Sequence, residues 1–150
     1  MKLAELLIER AEIQRRIAQL SSRLNCFATV QEGAEPPIKP DVMLKSVDEL
    51  HVELEEIIKK INHANSNVYL ENEISLADAI IARDILKSRR NVYDNLSKAG
   101  QIQDQRYSKK EIRMVSTIDV ENIIHVTDEL SKNIRLIDSK IQAKNWEVEV

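Results

Sequence analysis

The sequence predicts an all-α fold: a coiled-coil-like four-helix bundle whose antiparallel helices run up-down-up-down. Two observations support this prediction. Helix breakers are nearly confined to one stretch, since the three prolines lie within 36–40 and the glycines are Gly33 and Gly100. Aromatic residues make up only 3% of the chain, against 43% hydrophobic and 31% charged residues, a composition typical of packed helices.

A chain of 150 residues is long enough for one domain with its own core, so we predict a single domain spanning 1–150. Antiparallel connection places the two longest loops at the same end of the bundle. The predicted helices are about 2–25, 41–62, 75–99 and 119–144, and the long loops are 26–40 and 100–118.

Apolar residues recur at alternating spacings of three and four in the first, second and fourth segments, which places each set on one helix face. In the first segment only Arg10 interrupts the set. The sets are Leu3, Leu6, Arg10, Ile13, Ile17, Leu20, Leu24 and Phe27; Met43, Val47, Leu50, Leu54, Ile57, Ile61, Ala64 and Val68; and Val120, Ile123, Thr127, Leu130, Ile134, Ile137 and Ile141.

The third segment is less regular. Its most apolar face is interrupted by Arg89, and Ile80 and Ile81 fall outside it. Either the register shifts locally, or this helix is apolar on two sides and contacts something beyond its own bundle. Gly100 suits a position just past its end. The predicted face is Ala82, Ile85, Leu86, Val92, Tyr93, Leu96 and Ala99.

Two loop segments have the composition of strands. Apolar and polar residues alternate within 112–118, and 26–31 contains Phe27 and Val30. We predict that these segments pair as a short β-ribbon at one end of the bundle. A competing signal is the capping box from Ser108 to Glu111, which would start a helical turn instead.

Composition also narrows the function classes. The formal net charge of −3 does not favour a dedicated nucleic-acid binder. The one cysteine, Cys26, cannot form an intramolecular disulfide, and the N-terminal segment is too charged for a signal peptide. We therefore expect a cytoplasmic protein with no membrane partner.

No motif for catalysis, cofactor binding or metal binding is evident. A di-iron site in a four-helix bundle needs inward Glu and Glu-x-x-His residues. The nearest approaches are Asp48 with His51 and Glu121 with His125, of which Asp48 and His125 fall on solvent-facing heptad positions. Cys26 has no histidine near it in sequence. We predict that the protein is not an enzyme.

The loop 106–113 is locally basic. Its four cations and one aromatic residue could bind the phosphates of RNA or an acidic protein surface. The simpler interpretation is that these cations pair with Glu32 and Glu35 or stay solvated. The candidate partner-binding residues are Arg106, Tyr107, Lys109, Lys110 and Arg113.

Arg10 and Arg89 interrupt otherwise apolar faces. A buried guanidinium without a partner is costly, so each needs a carboxylate or access to water. Such a pair could fix helix register, or it could belong to a polar network that specifies an oligomer. The carboxylates on neighbouring helices are Glu53, Glu55, Asp128 and Asp138, and the candidate self-association residues are Ile80, Ile81, Arg10 and Arg89.

Several short stretches carry a resemblance to a known family. They are 1–5, 30–37, 75–79 with Arg83 and Asp84, 106–108, 111–113, 115–120 and 145–146. These stretches resemble a family of small uncharacterised bacterial proteins that carry the name septicolysin. The resemblance covers essentially the whole chain and implies no catalytic or ligand-binding residues, but the name implies a membrane-active toxin.

Together these observations favour an interaction or scaffold protein that forms a homo-oligomer. The alternative is an RNA- or nucleotide-binding module that uses the basic loop 106–113. A membrane-active toxin, as the family name implies, is the third hypothesis.

Overall fold

A computed structural model describes residues 1–71, 73–102 and 112–150 of the chain. Four helices account for most of these residues, and the described part contains no strand, so the prediction of an all-α, four-helix fold is confirmed. The helices are α1 (Leu3–Phe27), α2 (Pro40–Asn67), α3 (Leu76–Gly100) and α4 (Val120–Glu147).

The chain divides into two compact units. The first contains Met1–Tyr69 and Gln142–Val150, and the second contains Leu70–Ile141. Helix α4 therefore contributes most of its length to the second unit and its last turns to the first. The placement of the two long loops at one end of a bundle stays a prediction.

In the first unit, α1 and α2 pack through their heptad positions. The spacings of three and four place one continuous set of side chains on each helix face, and burial follows these sets. The most deeply buried members are Leu3, Leu6, Ile13, Met43, Leu50, Ile57, Ile61 and Ala64.

The two ends of the chain are joined in the first unit. The backbone N–H of Leu3 donates to the carbonyl of Val148 at 3.0 Å, and that of Val150 donates to Met1 at 2.9 Å. The Lys2 ammonium lies 2.9 Å from the Glu149 carboxylate, and hydrogen bonding to Lys2 lowers the pKa of Glu149. These bonds hold the first turn of α1 against the residues after α4.

The predicted β-ribbon is wrong. Phe27 is the last residue of α1, where it continues the heptad set, and 112–118 contains no strand. Ile112, Met114 and Val115 are exposed, so the alternating pattern there does not mark a half-buried strand. The competing capping box begins at Ser108 and lies mostly outside the described residues.

Helix α2 continues past its predicted end. The sequence predicts an end near 62, but the helix runs to Asn67. Its polar side chains bond back to the helix: Ser66 donates to the Asn62 carbonyl and Asn67 to the His63 carbonyl. These residues satisfy carbonyls of the last turns instead of opening the chain into a loop.

Gly100 is the last residue of α3, and its role is to leave space. A Cβ atom at this position would lie 2.5 Å from Ile118 Cδ1 and 2.7 Å from Ile118 Cγ1. The sequence suggested that Gly100 ends α3 in a left-handed conformation. This is wrong, because the glycine with positive φ is Gly33. The requirement at Gly100 is a close approach of the segment that leads into α4.

Gly100→Ala tests this role. We expect the substitution to lower the free energy of unfolding by about 1 kcal/mol, because displacing Ile118 costs more than the gain in helix propensity. Ser88→Ala, at an exposed position of α3, serves as the control and should change stability by less than about 0.5 kcal/mol. Urea denaturation followed by circular dichroism measures both. A more stable Gly100→Ala variant would contradict the proposed close approach.

A pair of isoleucines tests the heptad core of the first unit. Ile61 is 2% exposed and Ile8 is 61% exposed. We expect Ile61→Ala to lower the free energy of unfolding by about 2–5 kcal/mol and Ile8→Ala by less than about 0.5 kcal/mol. If thermal or urea denaturation shows that both substitutions lower the free energy of unfolding equally, Ile61 and Ile8 do not differ in burial.

Candidate self-association surface

Helix α3 turns one of its two heptad sets toward the interior of the second unit, and we call this set the inner face. Its members follow one another at spacings of three and four, and all are buried or half-buried. The inner face consists of Leu76, Ala79, Arg83, Leu86, Arg90, Tyr93, Ser97 and Gly100.

A second set with the same spacing lies on the exposed side of α3, and we call it the outer stripe. Its large apolar members are Ile85 and Val92, each 64% exposed, and Leu96, 41% exposed, and the neighbouring Ile81 is 59% exposed. The outer stripe consists of Ala82, Ile85, Arg89, Val92, Leu96 and Ala99.

The predicted face of the third helix is therefore wrong in large part. Leu86 and Tyr93 do face inward, but the other five predicted members form the exposed outer stripe. Hydrophobicity alone favours the outer stripe, because the inner face contains two arginines, one serine and one glycine. Large apolar residues are present on both faces of α3, whereas a contact beyond its own bundle stays a prediction.

An ion pair holds the inner face in place. Arg83 Nη1 donates to Asp138 Oδ1 of α4 at 3.0 Å, and the same guanidinium also bonds Asp84. Burial lowers the pKa of Arg83, but hydrogen bonds to Asp138 and Asp84 outweigh it and leave the pKa above its usual value. Arg83 thus stays charged and paired although its side chain is only 19% exposed.

The inner face also contains small residues, whose polar groups bond within α3. Ala79 and Ser97 are both buried, and the Ser97 hydroxyl donates to the Asp94 carbonyl at 2.8 Å within the same helix. At the helix start, Ser75 is the N-cap and its hydroxyl accepts a hydrogen bond from the Asp78 N–H at 3.1 Å. At Gly100, the missing side chain leaves room for the side chains of Ile118 and Ser116.

The four candidate self-association residues are divided between the two units, with Ile80, Ile81 and Arg89 in the second and Arg10 in the first. Ile81 and Arg89 lie beside or within the outer stripe, and Ile80 next to them is half-buried. The Arg89 guanidinium lies over the Tyr93 ring, 5.8 Å from its centroid. Arg10 belongs to the first unit, where its Nε is buried without a hydrogen-bond partner among the described residues.

Asp138 also has a different partner from the one expected. It was one of four carboxylates proposed to neutralise Arg10 or Arg89, and it bonds Arg83 instead. The heptad pattern did not assign Arg83 to a buried face, because an arginine between Ala82 and Asp84 resembles an ordinary surface position. Its position on the inner face at spacings of four from Ala79 and three from Leu86 is the signal that was missed.

The basic loop lies almost wholly outside the described residues. This applies to Arg106, Tyr107, Lys109 and Lys110, whereas Arg113 is described and exposed. Binding of RNA, a nucleotide or an acidic protein at this loop therefore stays a prediction.

Residues that resembled metal or catalytic groups lie on the surface. Asp48, His51, Glu121 and His125 are all exposed, and His51 Nδ1 lies 2.8 Å from the Val47 carbonyl of its own helix. Cys26 is exposed and reduced. Within 1–71, 73–102 and 112–150, no three His, Cys, Asp or Glu residues gather as metal ligands would.

None of the helices in the described part of the chain combines the length and hydrophobicity needed to span a bilayer.

An apolar groove of about 250 Å³ in the second unit adjoins the outer stripe at Ala82. Its walls come from the start of α3, the middle of α4 and the segment before α3. Leu136 on the α4 side is itself more than half exposed. The groove extends the exposed apolar surface from α3 toward α4. Its lining is Leu70, Glu71, Ile74, Ala79, Ala82, Asn133, Leu136, Ile137 and Lys140.

Asp138→Asn tests the role of the ion pair. We expect it to lower the free energy of unfolding by about 1 kcal/mol, because it weakens a charge-assisted bond that is partly screened by water. The control is Asp128→Asn on an exposed position of α4, with an expected change below about 0.5 kcal/mol. If both substitutions have the same effect in urea denaturation, the ion pair does not hold α3 in its orientation.

Comparison with known proteins places the chain among relatives without an assigned function. Residues 10–150 match the model of a family of unknown function, DUF6847. A crystal structure described as a functionally unknown conserved protein from Corynebacterium diphtheriae is 36% identical with a TM-score of 0.93, covering 100% of this chain and 98% of that one. No protein with a curated description matches. The chain belongs to the DUF6847 family.

Proposed function

We propose that this protein is an interaction or scaffold protein that associates with itself through the outer stripe of α3. The observation that carries the proposal is the exposure of Ile81, Ile85, Val92 and Leu96 along one side of a single helix. Single exposed apolar residues are common on proteins, but a continuous apolar surface marks an interaction site.

The heptad spacing of the outer stripe supports the proposal. Random surface residues do not keep alternating spacings of three and four over 18 residues, from Ala82 to Ala99. That spacing is the pattern by which one helix packs against another. Within the described residues of its own chain, this pattern has no covering helix, so a second molecule would supply it.

The proposed self-association is also supported by the composition of the two faces of α3, because the more apolar face is the exposed one. A foldable sequence generally places its more apolar side inside. Here the inner face contains Arg83 and Arg90, whereas the outer stripe contains one charged residue, Arg89. Violations of this kind concentrate where function imposes a second requirement, and helix pairing is such a requirement.

Two valines provide a matched test. Val92 on the outer stripe is 64% exposed, and Val52 on α2 is 65% exposed. Neither substitution by glutamate should unfold the chain, because both positions face water. We expect wild-type protein to increase in mass with concentration, between about 1 μM and about 1 mM, toward a dimer. Val92→Glu should remain monomeric and Val52→Glu should behave as wild type.

Sedimentation velocity measures these masses. A wild-type protein that stays monomeric across the whole concentration range would refute the proposed self-association. If Val92→Glu assembles as well as the wild-type protein, or if Val52→Glu prevents assembly, the protein associates through a different surface. Circular dichroism of both variants confirms that the helices are intact.

A further inference from the structure

We infer that the outer stripe pairs with the outer stripe of a second copy in antiparallel orientation. This inference rests on the proposed function and identifies its partner and geometry. The charges along α3 are its first support. Among the residues that lie off the inner face, two aspartates, Asp78 and Asp84, lie in the N-terminal part. Three cations and one aspartate lie in the C-terminal part, at Lys87, Arg89, Asp94 and Lys98.

This asymmetry favours an antiparallel pair. With the helices antiparallel, the acidic N-terminal part of each copy lies beside the basic C-terminal part of the other. A parallel pair would place the two basic parts side by side, and like charges in that arrangement repel. The helix dipoles act in the same direction, because antiparallel neighbours bring opposite helix ends together.

The antiparallel pair can be centred on the outer stripe. Ala82 then lies opposite Ala99, Ile85 opposite Leu96 and Arg89 opposite Val92 of the second copy, so every stripe residue faces another stripe residue. A parallel pair in register also aligns the whole stripe, so the charges and the position of Arg89 decide between the two orientations.

The position of Arg89 also discriminates between the two orientations. In a parallel pair in register, Arg89 would face its own symmetry mate. In the antiparallel pair, Arg89 faces Val92 of the second copy, and its guanidinium already leans toward Tyr93 of its own helix at 5.8 Å. The long aliphatic part of the side chain can cover the apolar layer while the charge stays at the rim.

The size of the surface predicts a weak complex. A helix of 25 residues is about 37 Å long and presents a stripe about 10 Å wide. That footprint is smaller than the roughly 800 Å² per partner buried in stable complexes. We therefore expect a dimer with a dissociation constant in the micromolar range or above, which falls apart on dilution and is weakened by salt.

Site-specific cross-linking tests the orientation. The experiment uses full-length protein with Cys26→Ser, because the exposed Cys26 thiol would react on its own. One sample carries Ile85→Cys with an affinity tag, and a second carries Leu96→Cys. A short bismaleimide joins thiols that lie within about one helix diameter. In the antiparallel pair 85 and 96 face each other, whereas two copies of 85 are about 16 Å apart along the axis.

We expect the mixture of the two variants to give at least a five-fold higher yield of cross-linked heterodimer than the yield of homodimer from either variant alone. Val52→Cys, mixed with each, gives the yield from random collision. Predominant homodimer of Ile85→Cys would overturn the antiparallel inference while leaving self-association through α3 intact.

A second outcome separates the inference from the proposed function. If wild-type protein dimerises in sedimentation and Val92→Glu prevents it, but neither pair cross-links above the Val52→Cys yield, the antiparallel register is wrong and the proposed surface stands. If wild-type protein does not dimerise at all, both the proposed function and this inference fall.

Discussion

The ion pair between Arg83 and Asp138 is the interaction on which the orientation of α3 depends. Arg83 lies on the inner face, where a guanidinium without a carboxylate would be costly, and Asp138 of α4 provides that carboxylate at 3.0 Å. Rotating α3 to bury the outer stripe would remove Arg83 from Asp138. The same rotation would bury Arg89 in its place. The pair therefore favours the observed face and leaves Ile85 and Val92 in water.

The energetic consequence is a second unit that does not bury its most apolar helix face. Close approach compensates in part: Ala79, Ser97 and Gly100 are small, and Ile118 occupies the space that a side chain at Gly100 would need. The outer stripe that remains exposed keeps helix-pairing spacing and is interrupted by one charged residue, Arg89. Self-association would bury this surface, which links the polar inner face of α3 to the proposed function.

Three of the four apolar faces could be predicted from the sequence, and α3 could not, for a physical reason. In α1, α2 and α4 the residues with helical spacing are also the most apolar, so hydrophobicity and burial coincide. In α3 hydrophobicity and burial do not coincide. Its inner face is defined by small residues and by the bond from Arg83 to Asp138, which lies 55 residues further along the chain. Spacing alone reveals neither. The sequence placed Ile85, Val92 and Leu96 on one face together with Arg89, but the fold was needed to show that this face is exposed.

The most direct test of the two-faced α3 is methyl NMR with a soluble paramagnetic molecule. In dilute protein, the methyl groups of Ile81, Ile85 and Val92 should relax strongly, and that of Leu76 should not. At high concentration the Ile85 and Val92 methyls should become protected as the stripes pair. Protection of Ile85 in dilute protein would show that the inner and outer faces are assigned wrongly. Unchanged accessibility at high concentration would show that α3 does not mediate self-association.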